Sequence, residues 1–351
     1  MTFYLMSTIP INLIRYLFVL RVNRSMAWLS NYLPTEISLI LGTAIAKRLP
    51  TAQARPWLKS LVAWESYGGS KRISNKLIKG IPELSWPIES VIFAYPYEKR
   101  SFGEGEFILW ELKLFGDSAD HGYFLETIMP AIEEAGHSYD KRMTYPNCLW
   151  GKFEIHAVYA ARGNQWEPIV ENGQLDLNYQ ATPFQWSENL SYTINPELPP
   201  DTIRWLAPYD LSDKAAKRHS RKTWRINSQH QNRAMPAPSL KKIIEALIFR
   251  LNNLVAGKIT NFDELWEFIG IEQQTALKTA WKQASHIPIY KKALCVPPAH
   301  WPGVAMGSQT YTATFPEAFI PLLGLAAILH IGRYTHYGLG TFTIERQSGL
   351  S

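Results

Sequence analysis

Apolar residues recur along the first fifty positions with two different spacings, and each spacing predicts a type of element. Residues 9–22 are rich in Ile, Leu, Phe and Val without helical periodicity, which predicts a buried strand. After Pro34 the apolar positions recur at intervals of three and four residues and end at Lys47 and Arg48, which suit a helix C-terminus. Pro50 then stops this predicted helix.

The rest of the first half predicts more strands and one helix. Residues 51–103 are otherwise irregular, and their topology is not predicted. The predicted elements are a strand over 90–95, a strand over 106–115, a helix with Asp120 as N-cap that runs to about residue 135 with a kink at Pro130, and a strand over 152–159. This order of strand, helix, strands, helix and strand indicates an α+β sandwich of the ferredoxin type.

The second half repeats this order after a connector, although no sequence repeat accompanies it. Residues 161–200 have few apolar runs and several Gly, Asn and Pro positions, as connectors do. The predicted elements beyond it are a strand over 202–206, a helix over 240–254 with Ser239 as N-cap, a strand near 309–314, an apolar helix over 316–331 and a strand over 341–345. We therefore predict an α+β fold of two tandem ferredoxin-like domains, at 1–165 and 201–351, joined by a connector at 166–200.

Composition supports a folded protein with a polyanionic partner. A chain of 351 residues that is 46% hydrophobic and 13% aromatic is large enough for two cores and is unlike disordered chains. A net charge of +6 and a pI near 9.1 favour a partner that carries phosphates. The two cysteines, Cys148 and Cys295, cannot form a zinc site or a disulfide framework by themselves.

Two features of the sequence indicate a cytoplasmic protein that does not associate with a membrane. No stretch has the 18 or more uninterrupted apolar residues that a membrane span requires. The apolar opening over residues 1–20 lacks the charged n-region of a signal sequence and is interrupted by Arg15.

Three glycines near the C-terminus form a candidate phosphate-binding loop over residues 332–340 (GRYTHYGLG). Gly332, Gly338 and Gly340 lack the side chains that would block a phosphate from the backbone N–H groups. The alternative is that they cap a helix and turn the chain into a strand. A dinucleotide fingerprint is disfavoured, because these glycines follow a helix and precede a strand.

This stretch and two others resemble the CRISPR repeat-processing endoribonucleases of the RAMP superfamily. Residues 321–342 (PLLGLAAILHIGRYTHYGLGTF) resemble the family's C-terminal signature, in which an apolar helix leads to a His-apolar-Gly-basic segment and a G-x-G turn. Residues 105–116 resemble its mid-chain strand, and residues 33–42 resemble its first helix. The similarity is weak over 51–103 and 161–200.

The resemblance implies a pair of ferredoxin-like, RNA-recognition-type folds that bind CRISPR repeat RNA and cut precursor transcripts into guide RNAs without a metal ion. In such cleavage the neighbouring 2′-hydroxyl attacks the phosphate, and a cyclic phosphate remains. The sequence contains no H-E-x-x-H motif, no Cys/His cluster and no close-spaced acidic set, so we expect neither a metal nor another cofactor.

The family usually takes its acid and base from the first helix and its flanks, often a histidine with a tyrosine or lysine. Residues 37–49 contain no histidine, so the assignment here departs from the family pattern. The matching region offers Tyr32 before the helix and Lys47 with Arg48 at its end, for which the alternative is a solvated pair of cations. His336 inside the glycine stretch can donate a proton or contact a phosphate, unless it is simply a surface residue. We predict Tyr32, Lys47 and His336 as catalytic residues and a supporting role for His330.

Predicted RNA contacts fall in three places. The first is the glycine stretch, with Gly332, Arg333, Gly338 and Gly340. The second is a run over residues 214–233 that contains seven cations and no acidic residue, with Trp224 as a base-stacking surface. Its predicted contacts are Arg218, Arg221, Lys222, Trp224 and Arg225, and His219 and His230 lie in the same run. The third is the pair Lys291 and Lys292. A solvated insertion and a plain surface patch remain the alternatives for the last two.

Two other functions remain open at this point. The absence of a histidine in the first helix is compatible with a non-catalytic subunit that holds guide RNA in a CRISPR effector complex. A third possibility is an α+β scaffold whose basic run contacts a membrane or an acidic protein. We expect CRISPR repeat or guide RNA as the partner, with other effector subunits as further candidates.

Overall fold

The structure is a computed structural model that describes residues 9–30, 32–66, 86–97, 99–138, 148–191, 199–212, 237–255, 259, 261, 263–268, 271–298 and 301–346. Within these ranges the chain forms a six-stranded sheet, a four-stranded sheet and a two-stranded ribbon, each with antiparallel pairing. Helices pack against the two larger sheets. The predicted α+β class is confirmed.

The six-stranded sheet is built from the first half of the chain. Its strands, in order across the sheet, are β3 (Ser90–Ala94), β5 (Phe107–Phe115), β1 (Leu13–Val22), β6 (Phe153–Arg162), β7 (Gln165–Glu171) and β8 (Gln174–Leu175). Central β1 alternates as a half-buried strand does, because Tyr16, Phe18 and Leu20 are at most 2% exposed while Leu17 and Val19 between them are half-buried. Strands β7 and β8 lie mostly in the segment predicted as a connector.

Helices cover one face of this sheet. They are α1 (Leu33–Arg48), α2 (Thr51–Ser66) and α3 (Met129–His137), the last preceded by a helical turn at His121–Tyr123 and a π-helical segment at Phe124–Ile128. The Asp120 side chain accepts a hydrogen bond from the amide of Tyr123 at 3.1 Å, so the predicted N-cap is confirmed. The core between helices and sheet joins Ile37 and Ile40 of α1 to Leu20 and Trp110 of the strands.

The four-stranded sheet is built from the second half of the chain. Its strands, in order, are β10 (Ile289–Cys295), β11 (Ala305–Tyr311), β9 (Thr202–Tyr209) and β12 (Phe342–Glu345). Its helices are α4 (Leu240–Leu254), α5 (Ile271–Ala284) and α6 (Ile320–Leu329). Ser239 accepts a hydrogen bond from the amide of Lys242 at 3.2 Å, so this predicted N-cap is also confirmed.

The two halves share one order of elements. Apart from α2 and two short strands, the first half runs in the order β1, α1, β3, β5, α3 and β6, and the strand neighbours are β3-β5-β1-β6. Apart from α5, the second half runs in the order β9, α4, β10, β11, α6 and β12, and the strand neighbours are β10-β11-β9-β12. The first strand of each half is therefore central: β1 lies between β5 and β6, and β9 lies between β11 and β12.

Some elements were not predicted. Residues 51–66 form α2 although the segment from residue 51 was expected to be irregular, because Pro50 and Pro56 obscure its helical pattern. Helix α5 and edge strand β10 were also missed. The short ribbon pairs β2 (Met26–Trp28) with β4 (Ser101–Gly103).

The core consists of two clusters of buried residues, one in each half, and each cluster includes residues from the other half. Tyr337 and Leu339, which precede the last strand, are fully buried in the cluster of the first half. Ile9 and Ile11, which precede the first strand, belong to the cluster of the second half. Each end of the described chain is therefore anchored in the other half.

Candidate functional site

The segment 330–340 between α6 and β12, called the glycine loop below, packs tightly against protein backbone. Gly332, Gly338 and Gly340 have φ angles of +92°, +76° and +78°, a region that favours glycine. A Cβ atom on Gly340 would lie 1.8 Å from the carbonyl oxygen of Ile331, and one on Gly338 would lie 2.5 Å from that of Ile92. These glycines therefore admit neighbouring protein backbone, and their contact with RNA stays a prediction.

Several amide groups of the glycine loop donate to protein carbonyls. The amide of Arg333 donates to Asp210 at 2.9 Å, and that of Gly340 donates to Pro208 at 2.9 Å. The amides of Tyr337 and Gly338 donate within the loop. Residues 337–340 are buried, whereas residues 332–336 are half-buried. The part of the loop that a ligand can reach is therefore 332–336.

Tyr32 joins the start of α1 to the glycine loop. Its hydroxyl donates a hydrogen bond of 2.7 Å to the carbonyl oxygen of Tyr337, and its ring lies 5.0 Å from that of Trp301. The side chain is 7% exposed, and burial raises the pKa of its hydroxyl above the usual value. The geometry makes Tyr32 a residue that positions the loop, and a direct catalytic role for it stays a prediction.

His336 is a half-buried residue of the loop, and its Nε2 atom is buried. Its Nε2 has no hydrogen-bond partner among the described residues, and its ring packs on that of Tyr337 with 3.9 Å between centroids. Burial, together with the positive charge of Arg250, lowers the pKa of His336 to about 3. The imidazole is therefore neutral at pH 7 in the absence of a ligand.

His330 stabilises the glycine loop through a buried hydrogen bond. It is completely buried, adopts a φ of +58°, and its Nδ1 donates to the carbonyl oxygen of Leu339 at 3.0 Å. Burial and the charge of Lys113 hold the pKa of His330 well below its usual value. This geometry fits the predicted supporting role, in which His330 fixes the distance between the end of α6 and residue 339.

Buried charges beneath the loop were missed by the sequence analysis. Glu111 and Lys113 of β5 are each 3% exposed, and Arg15 of β1 donates to Glu111 at 2.6 Å. Burial would raise the pKa of Glu111, but the Arg15 and Lys113 charges hold it below the usual value. Lys113 donates to the carbonyl oxygen of Ile328 at 2.7 Å, and burial lowers its pKa to about 7. The sequence does contain a signal for these buried charges, because Glu111 and Lys113 stand at alternate positions of an otherwise apolar strand.

Lys47 and Arg48 lie at the other end of α1 from Tyr32. A helix rises 1.5 Å per residue, so Tyr32 and Lys47 are roughly 22 Å apart along the axis. Lys47 lies over the ring of Trp150, and Arg48 pairs with Glu134 at 2.9 Å. The structure therefore does not bring Tyr32 and Lys47 to one phosphate, and a catalytic role of Lys47 stays a prediction without geometric support.

Lys291 and Lys292 are exposed on edge strand β10. Lys291 lines a shallow polar pocket on the open face of the second sheet, together with Thr202, Ala293, Ser308, Thr310, Glu345 and Arg346. Strand β10 is three strand spacings from β12, which is roughly 14 Å. An RNA backbone can span that distance from the loop.

The predicted basic run lies outside the described residues, so Arg218, Arg221, Lys222, Trp224 and Arg225 stay predictions, as do His219 and His230. Within the part of the chain that the structure describes, no group of three or more His, Cys, Asp and Glu side chains is placed to hold a metal ion. Among the same residues, no helix is both long and apolar enough to cross a membrane.

The fold and loop thus define an α+β protein with two antiparallel sheets and a buried glycine loop before its last strand. The family model described as CRISPR-associated endoribonuclease Cas6 matches residues 219–342, which contain the glycine loop. This match confirms the predicted resemblance to the CRISPR repeat-processing endoribonucleases. No curated protein matches the chain.

Two solved structures share the fold at low identity, and a third is less similar. A partial Cas6-RT-Cas1–Cas2 complex matches at 14% identity with a TM-score of 0.50, over 98% of this chain and 48% of the other. A Cas6-RT-Cas1–Cas2 complex gives the same identity and TM-score, over 98% of this chain and 30% of the other. A Cas6 product complex matches at 14% identity with a TM-score of 0.42, over 95% and 99% of the two chains. The chain therefore spans less than half the length of the first two chains that it matches.

Proposed function

We propose that this protein is an endoribonuclease that binds CRISPR repeat RNA and cleaves precursor transcripts into guide RNAs. The observation that carries the proposal is the glycine loop, which lies inside the segment matched by the Cas6 model and is tied to α1 by the Tyr32 hydroxyl. In the family that this chain resembles, the first helix and the glycine signature are the two regions expected to act on the RNA. In this chain one hydrogen bond joins them.

The proposed scaffold is a pair of ferredoxin-like domains, at 1–165 and 201–351, with a connector at 166–200. The shared order of elements and the shared strand neighbours in the two sheets support it, because β-α-β-β-α-β is the ferredoxin-like order. Strands β7 and β8 extend the first sheet into the connector. The glycine loop then belongs to the second domain and packs on the first.

The proposed reaction needs no metal ion. The 2′-hydroxyl oxygen attacks the adjacent phosphorus while a base removes its proton, and the bond from phosphorus to the 5′-oxygen breaks. An acid gives a proton to that leaving oxygen, and the products are a 2′,3′-cyclic phosphate and a 5′-hydroxyl. Cations or amide groups that stabilise the extra negative charge lower the barrier.

His336 is the best-placed candidate for proton transfer. Its Nε2 has no hydrogen-bond partner among the described residues, and this atom is buried although the residue as a whole is half-buried. With a pKa of about 3 the free imidazole is a poor acid at pH 7, because almost none of it is protonated. A phosphate placed against it would raise that pKa, since a nearby anion stabilises the imidazolium form. RNA binding would then create the acid that the reaction needs.

The other predicted residues have different roles in the proposed function. Tyr32 positions the glycine loop through its bond to Tyr337 rather than touching RNA. Arg333, half-buried beside His336, contacts the phosphate backbone. Lys291, Lys292 and the basic run over 214–233 hold the RNA on either side of the cleavage site. Lys47 and Arg48 then contact RNA only at a distance from the loop.

A non-catalytic guide-RNA-binding subunit is the second candidate. The low pKa of His336 favours it, because an imidazole that stays neutral when RNA is bound cannot protonate the leaving oxygen. In that case the same loop and cations bind RNA without cutting it. We also propose other CRISPR proteins as partners of either form, in keeping with the complexes named for the matched structures.

The test is cleavage of labelled repeat RNA by the purified protein with EDTA present, followed by analysis of the product ends. We expect a 5′-hydroxyl product and a cyclic phosphate, and loss of cleavage in His336→Asn with RNA binding retained. Tight RNA binding with no cleavage of any repeat from the same genome would select the non-catalytic function. If the protein binds no RNA, both functions are wrong.

A further inference from the structure

A row of part-exposed aromatic side chains lies on the face of the first sheet opposite α1, α2 and α3, beyond the part of that face that α4 and α6 cover. Phe107, Tyr159 and Trp166 come from three different strands, and Tyr95 follows β3. Phe107 is 44% exposed and Tyr95 is 36% exposed, while Tyr159 and Trp166 are half-buried. These four side chains are called the aromatic face below.

Strand register places these side chains on one side of the sheet. In the pairing of β5 with β1, Phe107 lies opposite Arg21, and Glu111 lies opposite Leu17. Leu17 in turn lies opposite Tyr159 of β6. Side chains opposite each other in a sheet point to the same face, and Leu17 alternates with the core residues of β1.

Two rings of the aromatic face are held in place by neighbours. The guanidinium of Arg15 lies over Trp166 at 5.2 Å from the ring centroid, and its bond to Glu111 fixes it there. The ring of His156 lies 4.9 Å from that of Phe107. A ring that is already immobilised loses little conformational entropy when a ligand stacks on it. The aromatic face is therefore preorganised.

The aromatic face is continuous with the glycine loop. Phe93 of β3 packs edge-on against the ring of Tyr95 at 5.1 Å and against the ring of His330 at 5.7 Å. The loop closes on the same strand, because Gly338 approaches the backbone of Ile92 and Phe93. A chain that passes from the loop over β3 reaches Tyr95 first and Phe107, Tyr159 and Trp166 beyond it.

The chemistry of the aromatic face fits unpaired nucleotides better than a protein surface. Ion pairs lie among the rings: Arg15 with Glu111, and Arg21 with Glu154. The core of a protein interface is depleted of charged residues, because each buried ion must give up its hydration. A nucleobase can stack on a ring and leave the part-exposed pair of Arg21 and Glu154 in water, and the guanidinium of Arg21 can meet a phosphate.

From this geometry we infer that the aromatic face binds unpaired bases of the RNA by stacking, next to the glycine loop. This inference rests on the proposed RNA-binding function and extends it to a second contact region on the first sheet. The ligand is single-stranded RNA, because bases inside a duplex already stack on each other and cannot offer both faces to a side chain.

The experiment measures binding of the whole protein to a short unstructured RNA and to the same RNA annealed to its complement. Trp166→Leu and Tyr159→Leu keep apolar bulk but remove the ring, and each should weaken binding of the unpaired RNA by about five- to a hundredfold. Tyr159→Phe should bind as the wild type does. Phe249→Leu is the matched control, because Phe249 is 55% exposed and lies on α4 of the second half rather than on a strand of this sheet.

A salt series separates stacking from charge. Since no phosphate contact is removed, the slope of log affinity against log salt should be the same in Trp166→Leu and the wild type. Photocrosslinking of wild-type protein with 5-iodouridine in the same RNA adds a readout that needs no variant, and crosslinked peptides should contain Tyr95, Phe107, Tyr159 or Trp166.

Two results would overturn the inference while the proposed function stands: wild-type affinity in both leucine variants, or crosslinks that map only to other peptides. Equal weakening in Phe249→Leu, or equal losses for duplex and unpaired RNA, would also count against it. If the wild-type protein binds neither the unpaired nor the annealed RNA, both the inference and the proposed function are wrong.

Discussion

The hydroxyl of Tyr32 donates a hydrogen bond of 2.7 Å to the carbonyl oxygen of Tyr337, across 305 positions of the chain. The donor stands at the N-cap position of α1, and the acceptor belongs to the glycine loop before the last strand. Tyr337 and Leu339 are buried in the core of the first half, so the bond lies where the two halves meet. The position of the loop therefore depends on α1.

Replacing Tyr32 with phenylalanine should loosen the loop without changing the core. The ring stays in place, but the buried carbonyl of Tyr337 loses a donor, which costs about 1–2 kcal/mol. If the hydroxyl positions the loop, the rate of RNA cleavage also falls while RNA affinity changes little. Denaturant unfolding and single-turnover cleavage measure the two effects.

Tyr311→Phe is the control for that variant. The Tyr311 hydroxyl also donates to a backbone carbonyl, that of Pro238 at 2.9 Å, and Tyr311 is also buried, in the second half. We expect a similar loss of stability and no change in cleavage rate. Equal cleavage defects in both variants would show that general stability, rather than loop position, explains the effect of Tyr32.

Gly340→Ala should be strongly destabilising, by about 3 kcal/mol or more, because the new methyl group would lie 1.8 Å from the Ile331 oxygen at a φ of +78°. Gly173 has a φ of +76° with no atom within 4 Å of its ideal Cβ, so Gly173→Ala should cost only about 1–2 kcal/mol. Thermal unfolding of the two variants measures the difference. Similar losses at both positions would contradict the packing of the loop.

His336 should make stability depend on pH below neutrality. Its pKa is about 3 in the folded protein and about 6.5 in an unfolded chain, so between these values only the unfolded chain takes up the proton. Stability is therefore present above pH 6.5 and decreases as the pH falls toward 3. Buried His330, whose pKa is also lowered, acts in the same direction.

In His336→Gln the dependence of unfolding free energy on pH should weaken, by at most about 1.4 kcal/mol per pH unit between pH 6.5 and 4. The control is His286→Gln, because His286 is exposed on the surface. Chemical denaturation at a series of pH values measures both. An unchanged slope in His336→Gln would show that its imidazole titrates normally in the folded protein.

Much of the fold was predictable because long apolar patterns report on burial directly. The strand over 9–22 and the helix over 240–254 were found within a few residues, and the capping roles of Asp120 and Ser239 follow from local chemistry. Helix α2 was missed because Pro50 and Pro56 interrupt the pattern that would reveal it. Edge strand β10 was missed because most of its residues are exposed and carry no alternation.

The candidate site was less predictable, because it depends on contacts between distant segments. The glycines of 332–340 were found, but nothing in the local sequence shows that Gly338 packs on Ile92 or that Tyr32 reaches Tyr337. Lys47 and Tyr32 were predicted to share one catalytic site because they lie near the two ends of one helix. The length of that helix keeps them apart. The aromatic face was missed for the same reason, since its four residues meet only through strand pairing.

Lys291 should contribute to RNA binding through charge alone. If it contacts a phosphate, Lys291→Ala weakens binding at low salt and reduces the slope of log affinity against log salt by about 0.7 for unpaired RNA. Lys59→Ala, which removes an exposed cation from α2, should leave the slope unchanged. An identical slope in wild type and Lys291→Ala would remove the second sheet's open face from the RNA interface.

Cleavage of repeat RNA by the wild-type protein in EDTA is the measurement that tests the proposed function most directly. The structure and the family match lead us to expect a single cut in each repeat, with a 5′-hydroxyl on one product and a cyclic phosphate on the other, and no cut by His336→Asn. Intact RNA for every repeat of the same genome, or products with a 5′-phosphate, would contradict it.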